Sequence, residues 1–443
     1  MGLEEGAGLH RIRRARPSRV RGLDRMIARG RETGGRLPRT ARGLETMARL
    51  LRGAEEVFRE RGYEDASVSA ICRRVGVAQG TFYLYFASKE EAYVRLVKEL
   101  QSRLLAHLRR AGGGGDPGDR LLRAYDALLN GVVENAGLVQ VFREAEFVSP
   151  EIPMRLYATL CEELAQAVRA GVVAGSFREV DPEVVAYGIL GAVLFLSLRF
   201  AIWGKGKVPA GARRVGADFI RLGIADRRTP LLPGPPGEEI QAGERGSGPP
   251  AEVEGGEATR QALLHAAERA FGQAGFHRTT VSTITYLAGV GQGTFYLHFP
   301  SKVAIFNELV REISREFRRR QSLAAAPYSD RRMAEVEGLR SFFHWVRDHP
   351  GAYRIVREAE FVDEGVGQWY YTRLAQGYVR GLSAAMDRGE IRRCDPEALA
   401  YLLLGVAHLS GQRWVLWEGA RRPPEEALRS LGEFILWGVE RPA

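Results

Sequence analysis

The strongest constraint is that this chain is one module written twice. Ala78-Gln-Gly-Thr-Phe-Tyr-Leu-Tyr-Phe-Ala-Ser-Lys89 recurs 213 residues on as Gly291-Gln-Gly-Thr-Phe-Tyr-Leu-His-Phe-Pro-Ser-Lys302. Between Ala54–Lys89 and Ala267–Lys302, 18 of 36 positions are identical without a gap. Arg143-Glu-Ala-Glu-Phe-Val148 returns as Arg357–Val362, Asp181–Glu183 as Asp395–Glu397, Gly191 as Gly405 and Trp203 as Trp417, with the offset now 214. A period this long means duplicated domains, since solenoid repeats run to about 20–50 residues. The 443 residues must therefore fold as two similar bodies, each long enough to bury a core.

Within each copy the apolar period is helical and strand patterns are absent, so the fold class is all-α. Met47, Leu50, Leu51, Ala54, Val57 and Phe58 mark one face of a helix that should stop at Gly62 in the left-handed region. A short second helix follows Ser67 as N-cap, with Val68 and Ile71 facing inward. A Gly76-Val77 turn leads to a third, Gln79–Tyr85, and Ser88 caps a long fourth helix. Five more helices are expected, broken at Gly112–Gly115, Ser149-Pro150, Gly171–Gly175 and Gly204–Gly211. Six segments result: a basic arm 1–40; a helix-turn-helix domain 41–110; a helical domain 111–224; a Pro/Gly-rich linker 225–256; and second copies at 257–320 and 321–443.

The net charge of +10 gains meaning only when it is located. The arm carries +7 and each helix-turn-helix region +4, while the helical halves are near neutral and the linker is acidic. This pattern favours local docking on a polyanion. The arm reads either as a minor-groove or phosphate-tracking tail, or as a solvated extension preceding a start at Met26 or Met47. Three scattered cysteines without a CxxC exclude a thiolate metal site and suit a reducing cytoplasm. No metal, no cofactor and no enzymatic nucleophile–base set is expected. The near-apolar runs Ala186–Leu198 and Ala400–Ser410 fall short of a membrane span, which needs about 20 residues, and read as buried helices.

A helix, a tight glycine turn and a short helix are what inserts a recognition helix into the major groove. Ser67–Lys89 and Thr280–Lys302 both resemble the TetR family of bacterial transcriptional regulators, whose signature runs from a Ser/Thr-capped helix through Gly-Val-x-x-Gly-Thr-Phe-Tyr-x-x-Phe to Ser-Lys. The resemblance implies double-stranded DNA as partner. It also implies contacts from Ser67, Gln79, Gly80, Thr81, Tyr83, Tyr85 and Lys89, and from Thr280, Gln292, Gly293, Thr294, Tyr296, His298 and Lys302. The tyrosines, His298 and the lysines would hold phosphates, and the residues at the helix start would read bases. On residue type alone, Tyr83 and Tyr296 are also compatible with packed tyrosines, and Gln79 and Gln292 with exposed helix positions. Phe82, Leu84, Phe86, Phe295, Leu297 and Phe299 read as core. Ala78 and Gly291 replace the Ser often found before the recognition helix, and Tyr286-Leu287 replace Arg73-Arg74, so the second copy should hold phosphate more weakly.

The resemblance also implies a hydrophobic small-molecule effector bound within residues 111–205, with a counterpart within 325–418. Arg143, Glu146 and Phe147, repeated as Arg357, Glu360 and Phe361, are the candidate ligand residues. The plainer reading is an Arg–Glu pair at i, i+3 on one helix with Phe in the core. Family members dimerise through their two last helices, so the two copies are expected to dock as an intramolecular pseudodimer. The rivals are a homodimer of chains with the second helix-turn-helix architectural, and a helical small-molecule-binding protein that does not bind DNA.

Overall fold

The structure, a computed structural model, describes residues 40–112, 114–223, 255–418 and 425–438. The basic arm up to residue 39 and the linker from 224 to 254 lie outside the described residues. All regular structure among them is helical, as the periodicity requires. They divide into two compact units. One is Ser67–Tyr93 with the chain up to Ala54; the other is Glu55–Ala66 with everything from Val94.

The smaller unit holds α2 (Val68–Val75) and α3 (Gln79–Tyr83), with the first turns of α1 (Ala41–Asp65) and the start of α4 (Lys89–Ala111). In the larger unit follow α5 (Pro117–Glu134), α6 (Ala136–Arg143), α7 (Ala145–Val148), α8 (Glu151–Val173), α9 (Pro182–Ser197) and α10 (Ala210–Leu222). The second copy comprises α11 (Gly255–Ala274), α12 (Val281–Ala288), α13 (Gln292–His298), α14 (Lys302–Ala325), α15 (Arg331–Asp348), α16 (Pro350–Val362), α17 (Glu364–Asp387), α18 (Pro396–Gly411) and α19 (Glu425–Trp437). Two breaks fall at residues that are neither glycine nor proline, Asn135 between α5 and α6 and Glu144 between α6 and α7, and six helices stand where the sequence predicts five. Gly62 does take a positive φ, but at φ 74°, ψ 170°, outside the left-handed helical region.

Caps explain several helix starts. Asp181 and Asp395 each accept hydrogen bonds from the next two free N–H groups, with Pro at the first helical position. The helices they open, α9 and α18, are apolar on nearly every face and accordingly sit inside the helical mass. Each ends in a π-helical segment, Leu198–Trp203 and Gln412–Trp417. With that extension, Pro182–Trp203 is long and apolar enough to cross a membrane, longer than the run visible in the sequence. In this fold 83% of its most apolar stretch is packed inside the protein.

α9 and α18 cross at Gly191 and Gly405. A Cβ on Gly191 would lie 2.3 Å from the Gly405 carbonyl oxygen, and one on Gly405 would lie 2.1 Å from that of Gly191. Around this crossing the polar contacts come in mirrored pairs. Arg199 Nε donates to Glu397 at 2.8 Å, and Arg413 Nη2 to Glu183 at 2.8 Å. Arg178 donates to the Gly438 carbonyl at the end of α19 at 2.7 Å, and Arg392 to the Gly223 carbonyl at the end of α10 at 3.1 Å. The contact of residue i with j, and of the equivalent of i with the equivalent of j, is the signature of an isologous two-fold interface.

Candidate nucleic-acid interface

Sequence sets the local geometry of both helix-turn-helix segments in the same way. Ser67 caps α2 by accepting from Ala70 N at 3.1 Å, and Thr280 caps α12 by accepting from Thr283 N at 3.1 Å. Gly76 (φ 74°, ψ 40°) and Gly289 (φ 71°, ψ 28°) end these helices in the left-handed region that favours glycine. Neither Ala78 nor Gly291 supplies a side-chain cap to the helix that follows, so the N–H groups at the start of α3 and α13 have no side chain of the preceding residue on them.

On these short helices the buried face is Phe82 with Phe86, and Phe295 with Phe299. Leu84 and Leu297 are a correction: they are 72% and 83% exposed and not core. The reason is angular. Residues 82 and 86 are four apart and share a helix face, whereas residue 84 lies about 200° from residue 82. Tyr83 and Tyr296 are more than half exposed, each set edge-on against the buried Phe before it. Gln79 and Gly80, with Gln292 and Gly293, are exposed, while Thr81, Tyr85, Thr294 and His298 are half-buried. Gly80 and Gly293 have a further property. A Cβ added at either would find no heavy atom within 4 Å, and neither has positive φ. Among the described residues, no packing contact and no backbone strain requires glycine at either position.

In the second segment Lys302 and Gln292 are engaged by other groups of the chain. Lys89 is half-buried at the first turn of α4. Its counterpart Lys302 is turned inward. The ammonium donates to the Phe276 and Thr279 carbonyls at 2.9 and 2.8 Å and sits 4.1 Å over the Phe276 ring, which commits two of its three N–H groups. Gln292 donates to the Ser282 hydroxyl. Tyr286 is 85% exposed on α12 where the first copy presents the exposed Arg73.

The repeated Arg-Glu-Ala-Glu-Phe-Val string performs two tasks that its residue types do not separate. Its outer arginine and second glutamate cross between copies: Arg143 donates to Glu360 at 2.7 Å, and Arg357 to Glu146. The i, i+3 pairing expected from spacing gives way to these longer-range bonds. Trp203 Nε1 adds a bond to Glu360 at 2.7 Å, and Phe147 meets Phe361 with ring centroids 5.8 Å apart. Arg143, Glu146, Arg357 and Phe361 also border a space of about 90 Å³. Burial opposes ionisation of Glu360, but the Arg143 guanidinium and the Trp203 N–H hold its carboxyl below the usual range. At Glu146 burial wins over Arg357 and the carboxyl is raised.

The first glutamate of the string makes a contact that sequence reasoning misses. Glu144 accepts from Tyr63 N at 2.6 Å, directly after Gly62. Glu358 accepts from Phe276 N at 3.0 and 3.1 Å, directly after Gly275 (φ 83°). Each carboxylate therefore receives the N–H freed where the first helix of a helix-turn-helix is broken by glycine. Burial pushes Glu144 up to about 7 despite that bond. The signal available in sequence is the doubled string itself, found at nearly the same distance from each glycine.

These features define a helix-turn-helix regulator carrying two such motifs in one chain. The family model for bacterial regulatory proteins of the tetR family matches residues 50–95 and again 263–309. The HTH-type transcriptional regulator YdgC of Bacillus subtilis (strain 168) is 31% identical over 188 residues, 41% of this chain and 92% of that one. The regulator UidR of Escherichia coli (strain K12) is 28% identical over 142 residues, 31% of this chain and 71% of that one. Among solved structures, the TetR-family regulator PfmR from Thermus thermophilus is 26% identical, covering 38% of this chain and 93% of that one, with a TM-score of 0.34. The chain belongs to the tetR family of DNA-binding transcriptional regulators, as a tandem of two units.

Proposed function

We propose that this regulator is a ligand-responsive cytoplasmic repressor that binds a near-palindromic operator as a single-chain pseudodimer. The observation that carries the reading is the reciprocity of the contacts between copies: Arg143–Glu360 with Arg357–Glu146, Arg199–Glu397 with Arg413–Glu183, and the Gly191–Gly405 crossing. In a homodimer such a patch would be one surface meeting itself. Here both halves of the patch are spent within the chain. On this reading α3 and α13 enter successive major grooves, about 34–36 Å apart, with half-sites alike but not identical. Gln79, Gly80 and Thr81, with Gln292, Gly293 and Thr294, approach base edges; Tyr83, Tyr85, Lys89, Tyr296 and His298 meet phosphates. Lys302 serves mainly to fix the turn beneath α13.

The test is a footprint on the chain's own upstream DNA, together with its mass in solution. The expected result is one protected site with two unequal halves, occupied by one chain, and binding that weakens steeply with salt. A chain that is monomeric and shows no salt-sensitive binding to that DNA would overturn the proposal. A mass of two chains per site would favour the homodimer.

A further inference from the structure

The two copies run through a similar order of helices but differ in what lines them. A cavity of about 310 Å³ lies in the second copy, between α14, α15, α17 and α18, and reaches Phe195 of α9. Its size is at the lower end of ligand pockets, about 300–1,000 Å³. Phe317, Gln321, Glu335, Phe342, Tyr370 and Tyr378 line it. At the equivalent positions the first copy has Leu104, Leu108, Leu121, Leu128, Leu156 and Leu164, all buried. Six buried leucines thus stand in the first copy where aromatic and polar groups line the cavity in the second, and the space bordered by Val139, Tyr157 and Leu194 there is about 90 Å³.

The lining has its own chemistry. Arg318, Arg373 and Arg380 stand at the wall, the last two exposed, and none pairs with a carboxylate among the described residues. Their equivalents are Leu105, Thr159 and Gln166. Burial, with the neighbouring guanidiniums of Arg373 and Arg315, pushes the Arg318 guanidinium below its usual range. Inside the wall the Gln321 amide nitrogen is buried with no hydrogen-bond partner. The inner end is wired to the inter-copy pairs. Tyr353 Oη lies 2.7 Å from His408 Nδ1, Gln412 Nε2 donates to His408 Nε2 at 2.9 Å, and the same amide lies 3.4 Å from Glu146. In the first copy that relay would run through Val139, Leu194 and Leu198, which cannot form it.

We infer that the chain has one effector site, confined to its second copy, and that it takes an organic anion with an apolar body. The arginine rim holds the carboxylate or phosphate, and the aromatic interior holds the body. The first copy is the packed partner that receives the change through Glu146. This inference rests on the ligand-responsive reading above.

Calorimetry of the full chain without DNA, using decanoate, decyl phosphate, decan-1-ol and decylammonium as probes, tests it. The expected result is saturable binding of one or both anions at one per chain, at least tenfold weaker binding of the alcohol, and none of the amine. Whichever anion binds more tightly identifies the headgroup. Arg373→Ala with Arg380→Ala, both at the exposed rim, should abolish the preference for the anion. Gly377→Phe, whose side chain would enter open space at the cavity wall, should abolish binding. Gln166→Ala in the first copy should change nothing. Two sites per chain, equal affinity for the alcohol, or no saturable binding of any probe would overturn the inference. Binding of the anion with no effect on operator affinity would leave this site standing and remove the ligand-responsive reading instead.

Discussion

A single carboxylate links the two jobs of each copy. Glu144 holds the Tyr63 N–H just beyond the break at Gly62, and its neighbour Arg143 spans to the other copy. Because burial raises the Glu144 carboxyl to about 7, the folded state binds a proton more tightly than the unfolded chain, whose value is near 4.5. Its stabilising contribution is therefore complete below about pH 4.5 and is lost as the pH rises through 7. Glu144→Gln keeps an acceptor for Tyr63 and removes the titration. We expect thermal melts of the two proteins to agree near pH 5 and the variant to become the more stable by pH 8, by on the order of 1–3 kcal/mol. A difference independent of pH would show that Glu144 is not the titrating group. The residue scale is also where the sequence is hardest to read. Alternation in Phe82-x-Leu84-x-Phe86 looks like three core residues, but on a helix only the outer two share a face. The partner of Arg143 lies 217 residues away, so local spacing points to Glu146 and cannot reveal Glu360.

Elements are legible in proportion to how local their causes are. Caps at Ser67, Ser88 and Thr280 and the glycine turns at Gly76 and Gly289 come from neighbouring residues, and each stands where its sequence places it. The π-helical ends of α9 and α18 have no local cause. They occur where Trp203 reaches Glu360 and Gln412 faces Glu146 from the other copy. Gly191 and Gly405 are visible as a repeated pair, but their purpose is close approach of two helices, which only the packed structure supplies. This gives a sharp expectation. Gly191→Val would drive a side chain into the Gly405 carbonyl, where even a Cβ would sit at 2.3 Å. Overpacking of this kind costs typically about 1–3 kcal/mol and more when the obstacle is backbone. Circular dichroism melts should show a loss at or above that range, while Gly211→Ala, which meets nothing within 4 Å, should be neutral or slightly stabilising. Equal melting of the two variants would mean that the crossing is not tight.

At the scale of the molecule, duplication is plain from sequence and specialisation is not. The helix-turn-helix segments remain half identical, whereas the helical halves have diverged until the Arg-Glu-Ala-Glu-Phe-Val string, Asp-Pro-Glu and scattered residues are what match. The exchanges of leucine for aromatic and polar residues around the cavity become visible only once equivalent helices are aligned in register. Covalent linkage of the copies has a thermodynamic consequence. A homodimeric regulator must assemble before it binds its operator, so its apparent affinity falls when protein concentration drops below the dimer dissociation constant. With the reciprocal contacts made inside one chain, the partner's effective concentration is fixed by the tether and does not dilute. Operator titrations at a series of DNA and protein concentrations should therefore give hyperbolic isotherms with one apparent Kd, down to subnanomolar chain. Cutting the linker with a protease site introduced within residues 225–256 should restore concentration dependence without changing half-site preference. A sigmoidal isotherm for the intact chain, or one unaffected by cleavage at the lowest concentrations, would mean that the tether is not what holds the two recognition helices to one operator.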